Sequence, residues 1–277
     1  CRNAVENPRT LAENAFCSLS ARDSGEPLAG TAAAQTDLWF ALEYDGMWPA
    51  KPLIGGALPA ALTALLSQWL ERAPTSRFQF IRQKETRDGR VRFFVAQTSP
   101  GEEWRVRFDL TRAEELLDLG LTRLLDAQHH EAAAQEDGPI ALVCCHGKRD
   151  RCCAKYGRAF YDALHEVAGN RAWQTSHLGG HRFAPTLVML PEGICYGQLN
   201  PEEAAGLWSA HERGEFYSLD RVRGRSAYDA PTQAAEIFLR QARGPLGLAP
   251  LGSTVSMISE ELGRTICFSG AGGGEHR

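Results

Sequence analysis

Hydrophobic and polar positions change period several times along the first half of the chain. Residues 38–42 form a continuous apolar run of the length of a buried strand. Leucine and tryptophan then recur at helical spacing over 62–70, and Pro74 follows this segment. A second helical segment at 113–125 ends the half, after strand-like runs at 78–81, 91–95 and 104–110. The pattern predicts the order strand, helix, three strands, helix.

The same order of elements recurs in the second half. An apolar run at 140–143 predicts a strand, and the apolar residues of 156–167 share a helical face that Gly169 closes. Asn200 and Pro201 are typical of a helix start, and they follow strand-like runs at 172–176, 186–190 and 194–199. We therefore predict an α/β fold with two similar layers in tandem.

A polar stretch at 131–138 suggests where the two halves divide, because it resembles a linker. We predict an N-terminal half at 1–130 and a C-terminal half at 131–277 with an extension. The extension is expected to contain an amphipathic helix at 230–243, short strands at 254–259 and 265–268, and a disordered glycine-rich tail at 270–274.

Composition and charge narrow the classes of partner. The 277 residues are 43% hydrophobic and 23% charged, with a formal net charge of −4, so a nucleic-acid or anionic-membrane surface is not expected. No apolar run approaches the roughly 18–20 residues of a membrane span. The first residues have neither the basic nor the apolar region of a secretory signal, so we expect a cytoplasmic protein.

Eight cysteines give the first indication of chemistry, because four of them fall within ten residues. Disulfide frameworks distribute crosslinks along short secreted chains, and this chain is neither short nor evidently secreted. The four cysteines form two adjacent pairs, Cys144-Cys145 and Cys152-Cys153, at the two ends of a polar loop. This loop follows a predicted strand and leads into a predicted helix. Clustered thiols in such a chain favour metal or redox chemistry.

Two histidines follow this loop in the segment His177-Leu178-Gly179-Gly180-His181. Thiolate and imidazole together are the ligand set of zinc, iron or an iron–sulfur cluster. From the residues alone, Cys145 and Cys152 are also possible ligands, and His146 forms a Cys-x-His triplet with Cys144. The Cys-x-x-His half of a Rieske motif is missing, so we expect His146 to be a hydrogen-bonding residue.

The loop and the histidines together resemble the sucrase/ferredoxin-like family. The resemblance is carried by Cys-x-His-x-x-Arg-Asp-x-x-Cys at 144–153, by His-x-x-x-His at 177–181 and by Arg-Phe-Ala-Pro-Thr at 182–186. Cys17-Ser18 and the stretches at 25–32 and 42–48 resemble the N-terminal region of the same family, so the resemblance covers about 17–200.

This resemblance implies a thioredoxin-like fold in both halves and a [2Fe–2S] cluster in the second. The implied ligands are Cys144, Cys153, His177 and His181, with two thiolates on one iron and two imidazoles on the other. Neutral imidazoles raise the potential above that of all-cysteine plant-type ferredoxins, and a water-exposed imidazole could couple electron transfer to proton transfer. Lys148 and Arg149 are expected to supply positive charge near the sulfurs.

Three functions follow from these observations. The resemblance implies an electron-transfer protein, and the chain has no Gly-x-Gly-x-x-Gly fingerprint after a strand, so a separate reductase is expected as its partner. The alternative is a structural zinc module with the same four ligands, although eight residues between Cys144 and Cys153 exceed zinc-finger spacing. A thiol–disulfide oxidoreductase is disfavoured because no Cys-x-x-Cys occurs. No catalytic residue is predicted, and the oligomeric state stays open.

The remaining cysteines and the N-terminal half are given structural roles. Cys17, Cys195 and Cys267 are expected to be small buried apolar residues. The N-terminal half lacks a Cys/His set of its own, so we expect it to serve as a packing layer for the second half.

Overall fold

The computed structural model describes residues 16–33, 35–84, 88–125, 134–135, 138–244, 247–259, 263–269 and 275–276. The predicted glycine-rich tail at 270–274 lies outside the described residues. None of the helices in the described ranges is both long and apolar enough to cross a membrane.

The first half forms one α/β layer after a short helix. Strand β1 pairs in parallel with β2 and antiparallel with β3, which in turn pairs antiparallel with β4. All six residues of β1 are buried, as its uninterrupted apolar run predicts. The elements are α1 (Cys17–Asp23), β1 (Leu38–Glu43), α2 (Ala60–Arg72), β2 (Ser76–Arg82), β3 (Val91–Gln97), β4 (Trp104–Leu110), α3 (Leu121–Leu125) and β5 (Ala134–Gln135).

The second half repeats this pairing. Strand β6 is parallel to β7 and antiparallel to β8, and β8 is antiparallel to β9. The prediction of two thioredoxin-like α/β layers in tandem is confirmed by these matching patterns. The elements are β6 (Ile140–Cys144), α4 (Arg158–Ala168), β7 (Ala172–Thr175), β8 (Thr186–Leu190), β9 (Ile194–Gly197), α5 (Ala204–Glu212), β10 (Val222–Arg225) and α6 (Ala230–Arg243).

The two layers join edge to edge into one ten-stranded sheet. Its order is β10-β9-β8-β6-β7-β2-β1-β3-β4-β5, and the joint is the antiparallel pair β2–β7. Beside the joint, the amide of Ser176 donates to the Phe80 carbonyl at 2.8 Å, and the Phe80 amide donates to Ser176 Oγ at 3.0 Å. One buried apolar cluster contains Trp39 and Phe94 from the first layer and Trp173 from the second.

Two predicted features differ in the structure. The helix predicted at 113–125 is divided into a 3₁₀ segment (Ala113–Asp118) and α3, because Leu119 is extended and Gly120 favours a break. The predicted linker at 131–138 contains β5, which pairs with β4 at the far edge of the first layer. The pairing places Gln135 with the first layer, and the division at 130/131 stays a prediction.

The C-terminal extension packs against the second layer. Asn200 and Glu203 form the capping box before α5, and the Asp229 side chain accepts from the Thr232 amide at the start of α6. The predicted strands are present as β11 (Ser253–Ser259) and β12 (Gly263–Ser269), and β12 also pairs with β13 (Glu275–His276).

Candidate metal centre

The cysteine loop connects the end of β6 to α4 through a tight helical turn. The Asp150 carboxylate accepts from the Cys152 amide at 2.7 Å, and a π-helix (Cys153–Gly157) then leads into α4. A Cβ on Gly157 would lie 1.9 Å from the Cys144 carbonyl oxygen. Only glycine therefore allows this turn to lie against the end of β6, and the turn brings Cys153 back beside Cys144.

The histidine segment follows β7, the parallel neighbour of β6. Because the carboxyl ends of parallel strands meet at one edge of the sheet, this segment lies beside the cysteine loop. Gly179 and Gly180 both have positive φ. Arg77 donates to the His177 carbonyl at 2.8 Å, and the buried Arg223 donates to the Gly179 carbonyl at 3.3 Å. These two guanidinium groups hold the backbone of the histidine segment in place through two of its carbonyl oxygens.

Three of the four predicted ligands come together. The sulfurs of Cys144 and Cys153 and Nδ1 of His177 lie within 4.8 Å of one another, at 3.8 Å from Cys144 to His177 and 3.9 Å from Cys153 to His177. The hydrogen bond from Cys153, with a further contribution from His177, lowers the pKa of Cys144 well below its usual range. The same hydrogen bond raises the pKa of Cys153. The Cys144 thiol is therefore the more acidic of the two.

The fourth predicted ligand, His181, belongs to a neighbouring group. Its Nδ1 lies 3.1 Å from the Cys17 sulfur and 3.0 Å from an Asp150 carboxylate oxygen. The His177 and His181 rings are 6.2 Å apart between centroids. Cys17 also contacts Cys152, with 3.3 Å between the sulfurs. Burial raises the pKa of Cys17 to about 11, so this side chain is a thiol at neutral pH.

Two other candidate residues of the loop, Cys145 and His146, offer no ligand atom to either group. Cys145 is buried, and burial raises its pKa, so its thiol stays protonated. His146 Nδ1 accepts from the His177 amide at 3.3 Å, and its Nε2 lies 3.3 Å from the Trp48 carbonyl. The hydrogen-bonding role predicted for His146 is therefore confirmed. Cys195 is buried as expected, whereas Cys17 is only half-buried.

Four residues around the site were missed by the sequence analysis. Asp150 stands inside the quoted motif, where a carboxylate beside ligand cysteines was an available signal. Cys17, Arg77 and Arg223 lie far from the motif in sequence, and no spacing connects them to it. They reach the site only because α1, β2 and β10 meet at this edge of the sheet.

The donor set fits a metal group. Buried thiols beside imidazole nitrogens suit both iron–sulfur clusters and zinc, and the pKa of the Cys144 thiol is lowered. The His181 side chain is 47% exposed and follows two glycines in the chain. Its ring centroid lies 6.2 Å from that of His177. The residues present therefore fit a metal centre with two sulfur and two nitrogen donors.

Of three comparisons with known proteins, the one with family models agrees with the motif. No curated protein matches the chain significantly. Among solved structures, a thioredoxin-like [2Fe-2S] ferredoxin from Aquifex aeolicus is 20% identical with a TM-score of 0.27, over 31% of this chain and 91% of that one. A TM-score this low carries no argument about fold or function. The family model described as sucrase/ferredoxin-like matches residues 41–224, which is more than half of the chain. The chain therefore belongs to the sucrase/ferredoxin-like family.

Proposed function

We propose that this protein transfers single electrons through a [2Fe–2S] cluster held by Cys144, Cys153, His177 and His181. The observation that carries the proposal is the meeting of Cys144, Cys153 and His177 at one edge of the sheet, with His181 four residues away. When bound, such a cluster accepts and releases one electron, and imidazole ligands raise its potential. Family membership supports the same assignment.

The surroundings of the site suit a negatively charged group. Cys144 and Cys153 are fully buried, which excludes water from the sulfur side, whereas His181 is on the exposed side. Arg77 and the buried Arg223 place positive charge behind the histidine segment. The buried Arg223 stabilises added negative charge more strongly than an exposed cation would, because water screens it less. Proton coupling stays a prediction.

A separate reductase is proposed as the electron donor. Lys148 and Arg149 are exposed, as is Gly147, on the loop between the two proposed ligand cysteines. A role of these two cations in supplying positive charge near the sulfurs stays a prediction, and their exposure also suits contact with a partner. An acidic patch on that reductase would accelerate encounter, and the rate would fall as salt screens the charges.

The alternative function is a structural zinc site, and one observation favours it. The sulfur–nitrogen separations of 3.8 and 3.9 Å are close to the separation of about 3.6 Å expected when thiolate and imidazole share one tetrahedral zinc ion. In this case Cys144, Cys153 and His177 would bind the same ion, with His181 or water completing the site.

The test is metal and sulfide analysis of anaerobically purified full-length protein, with low-temperature EPR of the reduced sample. We expect about two irons and two sulfides per chain and little zinc. The variants His177→Cys and His181→Cys should shift the EPR spectrum toward the all-cysteine type. The matched control His165→Cys, on α4, should leave it unchanged. A colourless protein with one zinc, still colourless after anaerobic reconstitution with iron and sulfide, would overturn the proposal in favour of zinc.

A further inference from the structure

A second thiol pair lies beside the proposed cluster ligands and has no role in holding them. The sulfurs of Cys17 and Cys152 are 3.3 Å apart, although the residues are separated by 135 positions in the chain. Cys17 is the first residue of α1, and Cys152 directly precedes the proposed ligand Cys153. Both cysteines are free in this structure.

The approach of the two sulfurs is fixed from both sides of α1. On one side, the Phe16 ring packs edge-on against Tyr156 at 5.4 Å, and the Lys155 ammonium lies 4.5 Å from the Phe16 ring centre. On the other side, Arg22 donates to the Gln198 carbonyl and to Asn200 Oδ1, both at 3.0 Å. These contacts hold α1 over the cysteine loop, which carries the proposed ligands Cys144 and Cys153 and is called the ligand loop below. They therefore keep Cys17 facing Cys152.

We propose that Cys17 and Cys152 form a reversible disulfide that fastens α1 to the ligand loop. Closing the contact to a bond of about 2.05 Å requires a movement of little more than 1 Å. Cys152 is almost completely buried, whereas Cys17 is half-buried and can be reached from solvent. Cys17 is therefore the entry point for a thiol oxidant, and Cys152 is the resolving thiol.

Glutathione disulfide is the oxidant class that we assign to this step. The Cys17 sulfur attacks one glutathione sulfur, which breaks the glutathione disulfide and releases one glutathione as its thiol. The Cys152 sulfur then attacks the Cys17 sulfur of the mixed disulfide and releases the second glutathione. Two cysteine thiols are oxidised to one disulfide, and the two thiol protons leave with the two glutathione molecules.

The bond would act on the site through Cys153 and His181. Cys152 is joined directly to Cys153, and the Cys17 sulfur lies 3.1 Å from His181 Nδ1 in the dithiol form. Fastening α1 would restrict opening of the ligand loop and would remove the Cys17 thiol hydrogen from the neighbourhood of His181. The disulfide itself does not depend on the proposed function, since neither Cys17 nor Cys152 is a proposed ligand.

The test is disulfide mapping of full-length protein equilibrated anaerobically in glutathione buffers of different ratio. Free thiols are then alkylated, and the unreduced protein is digested with trypsin and sequenced by mass spectrometry. We expect a bridge between the peptide that ends at Arg22 and the peptide 152–155. The buffer is described by the concentration of glutathione disulfide divided by the square of the glutathione concentration. For each tenfold rise in this quotient, the ratio of bridged to dithiol protein should rise about tenfold. Equilibration must be long, because a protonated Cys17 thiol exchanges slowly.

Matched variants separate the proposed bridge from other outcomes. Cys17→Ser and Cys152→Ser should each abolish the bridge, and Cys195→Ser, at a buried thiol outside the pair, should leave it unchanged. Independent alkylation of Cys17 and Cys152 in every buffer would overturn the proposal, and so would fragment ions that place the bridge on Cys153. Protection of both thiols only when zinc is added would also overturn it, because the group would then be a metal site. Iron and sulfide measured on the same samples test the cluster separately.

Discussion

His211 on α5 shows how burial of one titratable side chain sets a pH dependence. Its Nε2 lies 2.9 Å from the Tyr196 hydroxyl, and its Nδ1 has no hydrogen-bond partner among the described residues. Burial lowers the pKa of His211 from 6.5 to about 3. Between these values the unfolded chain binds a proton that the folded protein does not, so stability falls as the pH falls below 6.5.

We therefore expect His211→Gln to weaken the acid sensitivity of folding. The pKa shift implies that His211 costs wild-type protein about 2 kcal/mol of stability at pH 5 relative to pH 7.5. The variant should lose this part of the pH dependence, because glutamine does not titrate. Urea denaturation at pH 5 and pH 7.5 measures the difference, and the interval from pH 7.5 to 8.5 is the control, where both proteins should change equally. Equal losses at pH 5 would contradict the prediction.

At the same scale, residue types indicated a thiol and imidazole site, and the family resemblance selected its four candidate ligands. Cys144, Cys153 and His177 meet in the structure as the motif led us to expect. The contact of His181 with Cys17 and Asp150 could not be predicted. Cys17 is about 130 residues from the loop, and its place in the N-terminal region that resembles the family does not indicate which residues it contacts.

Among the elements, the turn between β6 and α4 decides the geometry of the site. Its π-helix places Gly157 against the end of β6, where a Cβ would lie 1.9 Å from the Cys144 carbonyl oxygen. The neighbour is backbone, so it cannot move without shifting Cys144 itself. The turn therefore cannot move away from β6 or toward it without affecting Cys144, the first proposed ligand.

We expect Gly157→Ala to reduce both stability and metal retention. The overlap should cost about 3 kcal/mol, since it forces backbone atoms apart in a packed interior. The separation of Cys144 from Cys153 should lower iron content in the same preparations. Gly120→Ala is the matched control, because a Cβ there meets nothing within 4 Å. Urea denaturation and iron analysis measure the two effects, and a variant as stable as the control would show the prediction to be wrong.

For the whole molecule, the joint between the two layers bears on the role of the N-terminal half. Strand β7 pairs with β2, and the Phe94 and Trp173 rings pack edge-on at 5.4 Å across the two layers. The shared apolar cluster that contains these rings also contains Cys144 and Cys153. This arrangement agrees with the packing role expected for the N-terminal half, since both layers line the buried side of the candidate site.

A fragment that begins at Glu131 should therefore fail to fold and to hold iron. Removing the first layer would expose the edge of β7 and the apolar face beneath Cys144, which favours aggregation. Circular dichroism, gel filtration and iron analysis of this fragment measure the outcome, with the full-length chain as control. A monomeric fragment that retains the cluster would refute the prediction and would show that the second layer is independent.

The sequence by itself determined the order of elements, the α/β class and the chemistry of the candidate ligands. These properties are local: apolar periodicity specifies strands and helices, and residue type specifies what an atom can bind. Even so, the break at Leu119 and Gly120 was missed, because a helical pattern does not show where the chain turns away.

Only the tertiary structure decided that the layers share one sheet and that α1 covers the ligand loop. It also decided that Arg77 and Arg223 lie behind the histidine segment, and that His181 lies closer to Cys17 than to His177. Each of these features joins side chains from distant parts of the chain. Such contacts depend on how complete elements pack, and packing is a property of surfaces that no local pattern contains.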